Sequence, residues 1–307
     1  MNIRGLPACH SERSEESPPC TAEALHSAQG DTRPCHSERS EESPPCTAET
    51  LRSAQGDTLG ATLEQVDILG VSVHRLSMAG LIREVTQRAR SETKSAVLYA
   101  NVHVLNTAYR DTELRHILNQ ADLVYCDGAG VRLGARLLGC LLPPRMTGAD
   151  WIEPLCAACA AEGITLYLLG SRPGVAAHTA GALQARYPGL RVAGTHHGYL
   201  ADPAVCAAAI AAINAARPHI LLVGMGTPIQ EKWIAAHRLE LEVPVVWAVG
   251  ALFDFVAGVQ PRGPRWMLDN GLEWLYRLLS DPRRLWQRYV VGNPLFILRV
   301  LRQKMGR

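Results

Sequence analysis

The stretch Ile220–Glu231, ILLVGMGTPIQE, constrains the fold of this chain more than any other segment. Four consecutive apolar residues, Ile220, Leu221, Leu222 and Val223, read as a buried strand. Gly224 and Gly226 then open a tight turn, Pro228 stands where a helix begins, and Gln230 and Glu231 fall in its first turn. A strand that feeds a glycine turn and a helix start builds a polar pocket at the carboxyl edge of a sheet. Backbone N–H groups exposed there attract phosphate or another anion, and Gln230 can hydrogen-bond a sugar or a base without carrying charge. An ordinary strand–helix corner uses the same glycines, so the string takes its meaning from the segments beside it.

Those segments repeat the same grammar. Folded sequence begins near Leu63, and Val66–Leu76 predicts a β-hairpin or strand–turn entry. Strands are expected in Ala96–Leu105 (ending at Asn101 and followed by a loop), Ala121–Gly128, Ile164–Leu169, Arg191–Gly194, Ile220–Val223 and Val245–Val249. Helices are expected over Ala79–Arg90, Asp111–Asn119, Asp150–Ala161, Ala176–Tyr187, Pro203–Ala216 and Gln230–Leu239. Strands alternating with helices predict an α/β fold, a Rossmann-like, mostly parallel sheet flanked by helices. From about Pro264 onward the pattern turns helical, aromatic and basic, as a C-terminal appendage would.

The first 62 residues read differently. CHSERSEESPPCTAE begins at Cys9 and returns 26 residues later at Cys35, and SAQGDT recurs at Ser27 and Ser53. The repeat is rich in Ser, Glu and Pro and lacks the periodic apolar residues of a packed solenoid. It reads as translated repetitive DNA upstream of the true start or as a disordered extension; a metal-binding arm using its cysteines and His36 is the functional alternative. The expected division is therefore 1–62 repetitive, 63–263 an α/β core and 264–307 the appendage.

Bulk properties exclude little but point consistently. A formal net charge of +2 over 307 residues implies no nucleic-acid partner. The charge is unevenly spread: Gly271–Arg307 holds eight basic and two acidic residues. Nine cysteines form no zinc framework; Cys156 and Cys159 make a CxxC inside an Ala-rich, helix-like stretch and read as core residues. Scattered thiols favour a reducing cytoplasm. No apolar run approaches the roughly 18 residues that span a bilayer, and the start shows no signal peptide.

The candidate chemistry sits at strand ends. Asp127 follows an apolar strand and precedes Gly128 and Gly130, a position suited to a general base; on spacing alone it suits a helix cap equally well. Asn101 ends the preceding strand and could face the same crevice. Arg145, in RMTGAD, would neutralise a diphosphate or stand as a solvated loop arginine, and Asp150 is expected to cap the helix that follows. Gly128, Gly130 and Gly134 spell GxGxxxG, not the GxGxxG of dinucleotide folds, and no ribose-binding acid follows at the right distance. A nicotinamide-dependent oxidoreductase is the alternative resting on those glycines; a non-catalytic polysaccharide-assembly scaffold is another. The chain contains no DxD, so leaving-group stabilisation is expected from arginines and backbone N–H groups, with no metal or cofactor.

Taken together, YANVHVLN (Tyr99–Asn106), ADLVYCDGAGV (Ala121–Val131), RMTGAD (Arg145–Asp150), LYLLGS (Leu166–Ser171), GYL (Gly198–Leu200), VGMGTPIQEKWI (Val223–Ile234), VGALFDFVAG (Val249–Gly258) and PRGPRWMLDNGLEWLYRLLSDPRR (Pro261–Arg284) resemble the WecG/TagA/CpsF family of bacterial glycosyltransferases. The resemblance implies transfer of a sugar from a UDP-sugar donor to a polyprenyl-diphosphate-linked acceptor, with inversion at the anomeric carbon, in cell-surface polysaccharide or teichoic acid synthesis. It implies Asp127 as base and substrate contacts at Asn101, Arg145 and Gln230, with Gly128, Gly130, Gly224, Gly226 and Glu231 around them. Many members carry Thr where this chain has Tyr99, whose hydroxyl is the candidate substitute, and the family's RAP reads RGP at Arg262–Pro264. Arg277, Arg284 and Arg288 match the appendage arginines implied to bind a diphosphate, and Arg offers a bidentate fork for phosphate. The basic tail with Trp274, Trp286, Tyr289 and Phe296 suits an anionic membrane surface or, alternatively, an exposed helix pair. The expectation is a cytoplasmic protein, peripheral on the inner face of the plasma membrane, with a homo-oligomer left open.

Overall fold

A computed structural model describes residues 63–144, 146–260, 263–264, 267 and 273–306. Eight strands form one sheet in the order β1-β2-β4-β3-β8-β7-β5-β6. The strands are β1 (Gln65–Ile68), β2 (Val71–His74), β3 (Ser95–Ala100), β4 (Leu123–Cys126), β5 (Thr165–Gly170), β6 (Arg191–His196), β7 (Ile220–Gly224) and β8 (Val245–Ala248). Only the β1–β2 hairpin is antiparallel; every other pairing is parallel. The fold is α/β, as the alternating pattern implies.

The helices are α1 (Met78–Arg90), α2 (Val102–Ala108), α3 (Thr112–Gln120), α4 (Ala129–Leu137), α5 (Gly148–Glu162), α6 (Val175–Arg186), α7 (Pro203–Ala216), α8 (Ile229–His237) and α9 (Leu252–Val256). Beyond them come α10 (Glu273–Ser280), α11 (Pro282–Trp286), a π-helical turn (Gln287–Val291) and α12 (Gly292–Met305). β3, β4, β7 and β8 are buried along their whole length, which explains their near-continuous apolar runs. Beneath them Trp151 stacks on Trp247 with ring centroids 4.0 Å apart, and Trp151 Nε1 donates to the Tyr125 hydroxyl at 3.1 Å.

Three local expectations are corrected. The segment after Asn101 is a helix, not a loop: Asn101 Oδ1 accepts from Val104 N at 3.0 Å and caps α2, which overrides the strand-like Val102-His103-Val104-Leu105 pattern. Residues 129–137 form α4, the helix that Asp127 was equally suited to cap; its N-cap is Gly128, with no side-chain cap hydrogen bond. Asp150 is not the N-cap of α5. Thr147 holds that place, and Asp150, in the first turn, reaches back to accept from Thr147 N at 2.9 Å and Thr147 Oγ1 at 2.8 Å.

The last helix is built into the core. Phe296, Arg299 and Val300 of α12 are buried. Phe296 lies so close to α4 that a Cβ on Gly134 would stand 2.6 Å from its ring. Arg299 Nη1 donates to Asn106 O at 3.1 Å and to Asn106 Oδ1 at 2.7 Å, and its guanidinium lies 4.2 Å over the Tyr109 ring. Asn106 Nδ2 in turn donates to Gly292 O at 2.7 Å, and Gln303 Oε1 accepts from Leu69 N at 2.9 Å. These contacts tie α12 to α2 and to the β1–β2 turn.

Candidate active site

Because β4, β3, β8 and β7 are adjacent and parallel, their carboxyl ends open on one edge of the sheet. A cleft of about 1510 Å³ occupies that edge. Asn101 follows β3, Asp127 follows β4, Gly224 closes β7 and Gly250 lies just beyond β8; all four line it. The C-terminal segment lines it too, contributing Arg277 of α10 and Arg288 of the π-helical turn.

Asn101 Nδ2 donates to Asp127 Oδ2 at 3.1 Å, so the amide that caps α2 through its oxygen also holds the carboxylate through its nitrogen. Asp127 forms an isolated parallel bridge with Met146, which brings the Met146–Asp150 segment alongside the carboxylate. Arg145 lies outside the described residues, as does the side chain of Arg284. The Arg277 guanidinium sits 4.4 Å over the Phe255 ring.

Gln230 and Glu231 are placed differently from the expectation of direct substrate contact. Both are wholly buried and neither lines the cleft. Gln230 Oε1 accepts from Gly226 N at 3.2 Å and from Gly250 N at 3.0 Å; its Nε2 donates to the Tyr99 hydroxyl at 3.0 Å and to Glu231 Oε1 at 2.8 Å. Both donors and both lone pairs of the amide are used. Gln230 therefore braces the Gly224–Thr227 turn from behind. Glu231 Oε1 also accepts from Thr227 Oγ1 at 2.8 Å, while Oε2 is buried and, among the described residues, without a partner. Burial raises the Glu231 pKa, against the smaller opposing effect of these hydrogen bonds.

Tyr99 lines the cleft, but its hydroxyl is engaged by Gln230 and, at 3.4 Å, by Thr227 Oγ1. Burial, reinforced by Glu231, pushes the phenol well above its ordinary range, so it stays protonated. The larger side chain fits because position 250 is glycine: a Cβ there would lie 2.7 Å from the Tyr99 hydroxyl.

Gly128 and Gly130 do not line the cleft either. Gly128 precedes α4 with φ 94°, a conformation that favours glycine, and a Cβ on Gly130 would stand 2.5 Å from Val102. These two glycines, with Gly134 against Phe296, serve turn geometry and helix packing. That removes the structural footing of a dinucleotide reading. Sequence reasoning passed over His103, Arg172, Tyr199 and Asp254, all of which line the cleft. His103, Tyr199 and Asp254 lie inside segments already singled out, YANVHVLN, GYL and VGALFDFVAG, but nothing in a linear string marks which side chains turn inward.

A carboxylate held by an amide in a crevice that arginines also line suits an enzyme that transfers a group from an anionic donor. The family model described as "Glycosyl transferase WecG/TagA/CpsF family" matches residues 66–307, and the chain belongs to that family. It is a glycosyltransferase. Similar proteins include the N-acetylglucosaminyldiphosphoundecaprenol N-acetyl-beta-D-mannosaminyltransferases of Staphylococcus aureus strains MW2 and NCTC 8325. Each is 30% identical over 244 residues, spanning 78% of this chain and 93% of the relative.

Proposed function

We propose that this protein moves an N-acetylmannosamine-type sugar or a hexose from a UDP-sugar to a polyprenyl-diphosphate-linked sugar, with inversion, in teichoic acid or cell-surface polysaccharide synthesis. The observation that carries the reading is Asp127, held by Asn101 in a cleft that Arg277 and Arg288 also line. Asp127 removes the proton from an acceptor hydroxyl. That oxygen forms the new bond to the donor's anomeric carbon as the bond to the UDP oxygen breaks, and the departing diphosphate takes its charge to the arginines. Arg145 and Arg284 are proposed to join them. Gln230 and Glu231 act from behind, holding Gly224 and Gly226 at the cleft.

The protein is proposed to work at the cytoplasmic face of the plasma membrane, with residues 264–307 as the lipid-facing appendage on a core of 63–263. Among the described residues no helix is long and apolar enough to cross a membrane. Support for surface attachment comes from α12, where Pro294, Leu298, Leu301 and Met305 recur at helical spacing on the exposed side, beside Arg302 and Lys304.

The test is a donor screen. The full chain is incubated with a short-chain polyprenyl-diphosphate-GlcNAc or -glucose acceptor and a panel of UDP-sugars, with and without EDTA. Mass spectrometry is expected to find product with one donor, undiminished by EDTA. No product from any donor and acceptor pair, with UDP binding absent, would overturn the reading.

A further inference from the structure

Among the described residues, two polar groups on cleft-lining side chains have no hydrogen-bond partner. His103, in the first turn of α2, lines the cleft together with Asn101 and Asp127. Among the described residues its ring makes no hydrogen bond; only its backbone carbonyl is engaged, by Thr107 Oγ1 at 2.8 Å. Nε of Arg288, whose side chain also lines the cleft, is buried and has no partner among the described residues. A buried polar group left unpaired, as Arg288 Nε is, costs free energy unless something else satisfies it, and both side chains line a crevice open to ligand.

The two groups suit one another. Burial, and secondarily the Arg288 guanidinium, push the His103 imidazole down to about 4, so it is neutral near pH 7. A neutral imidazole offers one N–H donor without adding a second positive charge beside Arg288. A guanidinium and an imidazole N–H lining one space match a tetrahedral oxyanion better than a sugar hydroxyl, because the guanidinium only donates and the imidazole tautomer that turns its N–H inward adds a further donor. Arg288 also lies in the π-helical turn Gln287–Val291, an irregularity that recurs at functional sites.

We propose that His103 contacts substrate: its imidazole N–H, with Arg288, binds a phosphate oxygen of a diphosphate. This rests on the glycosyltransferase reading above, in which two diphosphates enter the cleft, one on the nucleoside and one on the polyprenyl chain. The shared chemistry is the diphosphate, and the experiment separates its sources.

Isothermal titration of the full chain with UDP, and separately with geranyl diphosphate, compares the wild type with His103→Leu and His103→Gln. His103→Leu is expected to bind one of the two probes roughly ten- to a hundredfold more weakly, the loss of one hydrogen bond to a charged group. His103→Gln, which keeps an N–H donor, restores most of that affinity. The weakened probe identifies the source of the phosphate. Thermal unfolding of each variant checks the fold, and the glutamine variant keeps the test informative if the leucine variant unfolds. Wild-type affinity for both probes in His103→Leu overturns the proposal, as does a folded His103→Gln protein that binds no better than the leucine variant. A wild type that binds neither probe overturns it as well. Sugar transfer measured on the same wild-type sample keeps the two readings apart: His103-dependent binding without transfer sinks the proposed function and leaves this assignment standing.

Discussion

Asn101 touches Asp127 and Val104 at once, donating to the carboxylate at 3.1 Å and accepting from the helix backbone at 3.0 Å. One amide thus couples the start of α2 to the candidate base. Because the Asn nitrogen only donates, it fixes the carboxylate without competing for the proton Asp127 must accept.

That division of labour separates two substitutions. Asp127→Asn is expected to lower kcat by roughly 10²–10⁴-fold while leaving the unfolding midpoint near wild type, because the side chain keeps its shape and loses only its basicity. Asn101→Ala is expected to cost about 1 kcal/mol of stability for the lost cap and to lower kcat on the order of tenfold to a hundredfold as the carboxylate loses its orientation. Steady-state kinetics with urea unfolding reads both. Near-normal turnover in Asp127→Asn removes it as the base.

Gln230 calls for the opposite pattern, stability before chemistry. Gln230→Leu strands two backbone N–H groups, those of Gly226 and Gly250, and strips a partner from Glu231. Each buried group left unpaired costs about 1–3 kcal/mol, so the two stranded N–H groups together cost about 2–6 kcal/mol. A variant with wild-type stability but weakened UDP binding would instead return Gln230 to direct contact with substrate.

The contrast shows what a linear sequence carries. The parallel sheet was legible because β3, β4, β7 and β8 are buried on both faces and so are written as unbroken apolar runs. Asp127 and Asn101 were legible because each stands where such a run stops. The direction of Gln230 was not: the first turn of a helix has an inner and an outer side, and only packing against Gly250 and Tyr99 decides between them. The start of α2 misled because Val102 and Val104 favour a strand locally, while the cap supplied by Asn101 acts through a hydrogen bond with no signature in composition. Arg299, an arginine in a basic tail, reads as solvated; its burial depends on Asn106 and Tyr109, about 190 residues earlier in the chain.

Glu231 makes stability depend on pH in a stated direction. Its folded pKa is raised above the ordinary value of 4.5, mainly by burial. A group of this kind contributes its full stability below 4.5, where both states are protonated, and loses it as pH rises through the folded value. Glu231→Gln keeps an acceptor for Thr227 and cannot ionise. The difference in Tm between the glutamine variant and the wild type should therefore move in favour of the variant as pH climbs from 4.5 toward 8. A difference that stays flat across that range would mean Glu231 titrates as an exposed carboxylate does.

The seat of α12 is testable as a pair. Gly134→Ala forces a methyl to within 2.6 Å of the Phe296 ring and should cost about 1–3 kcal/mol. Phe296→Ala removes a buried ring and should cost about 3–5 kcal/mol. In the Phe296→Ala background the Gly134→Ala substitution should cost almost nothing, since the clash is gone and alanine is the better helix former. Chemical denaturation of the four proteins gives the coupling directly. Strict additivity would mean that α12 does not rest on α4 in solution.

Because α12 is seated in this way, truncating the appendage is a poor test of membrane attachment: it would strip Phe296, Arg299 and Val300 from the core along with the exposed side. The outward stripe can be changed alone. Leu298 and Leu301 are exposed one helical turn apart, and Met305 continues the same stripe at 78% exposure. Leu298→Gln with Leu301→Gln leaves the buried face and every basic residue intact, and should weaken sedimentation with anionic vesicles roughly tenfold or more, since each apolar side chain withdrawn from lipid forfeits on the order of 1 kcal/mol or more. Raising salt should weaken the remainder, because Arg302 and Lys304 act through screened charge. Vesicle binding unchanged by the double substitution and unchanged by salt would place the lipid contact on another surface, even with transfer activity intact.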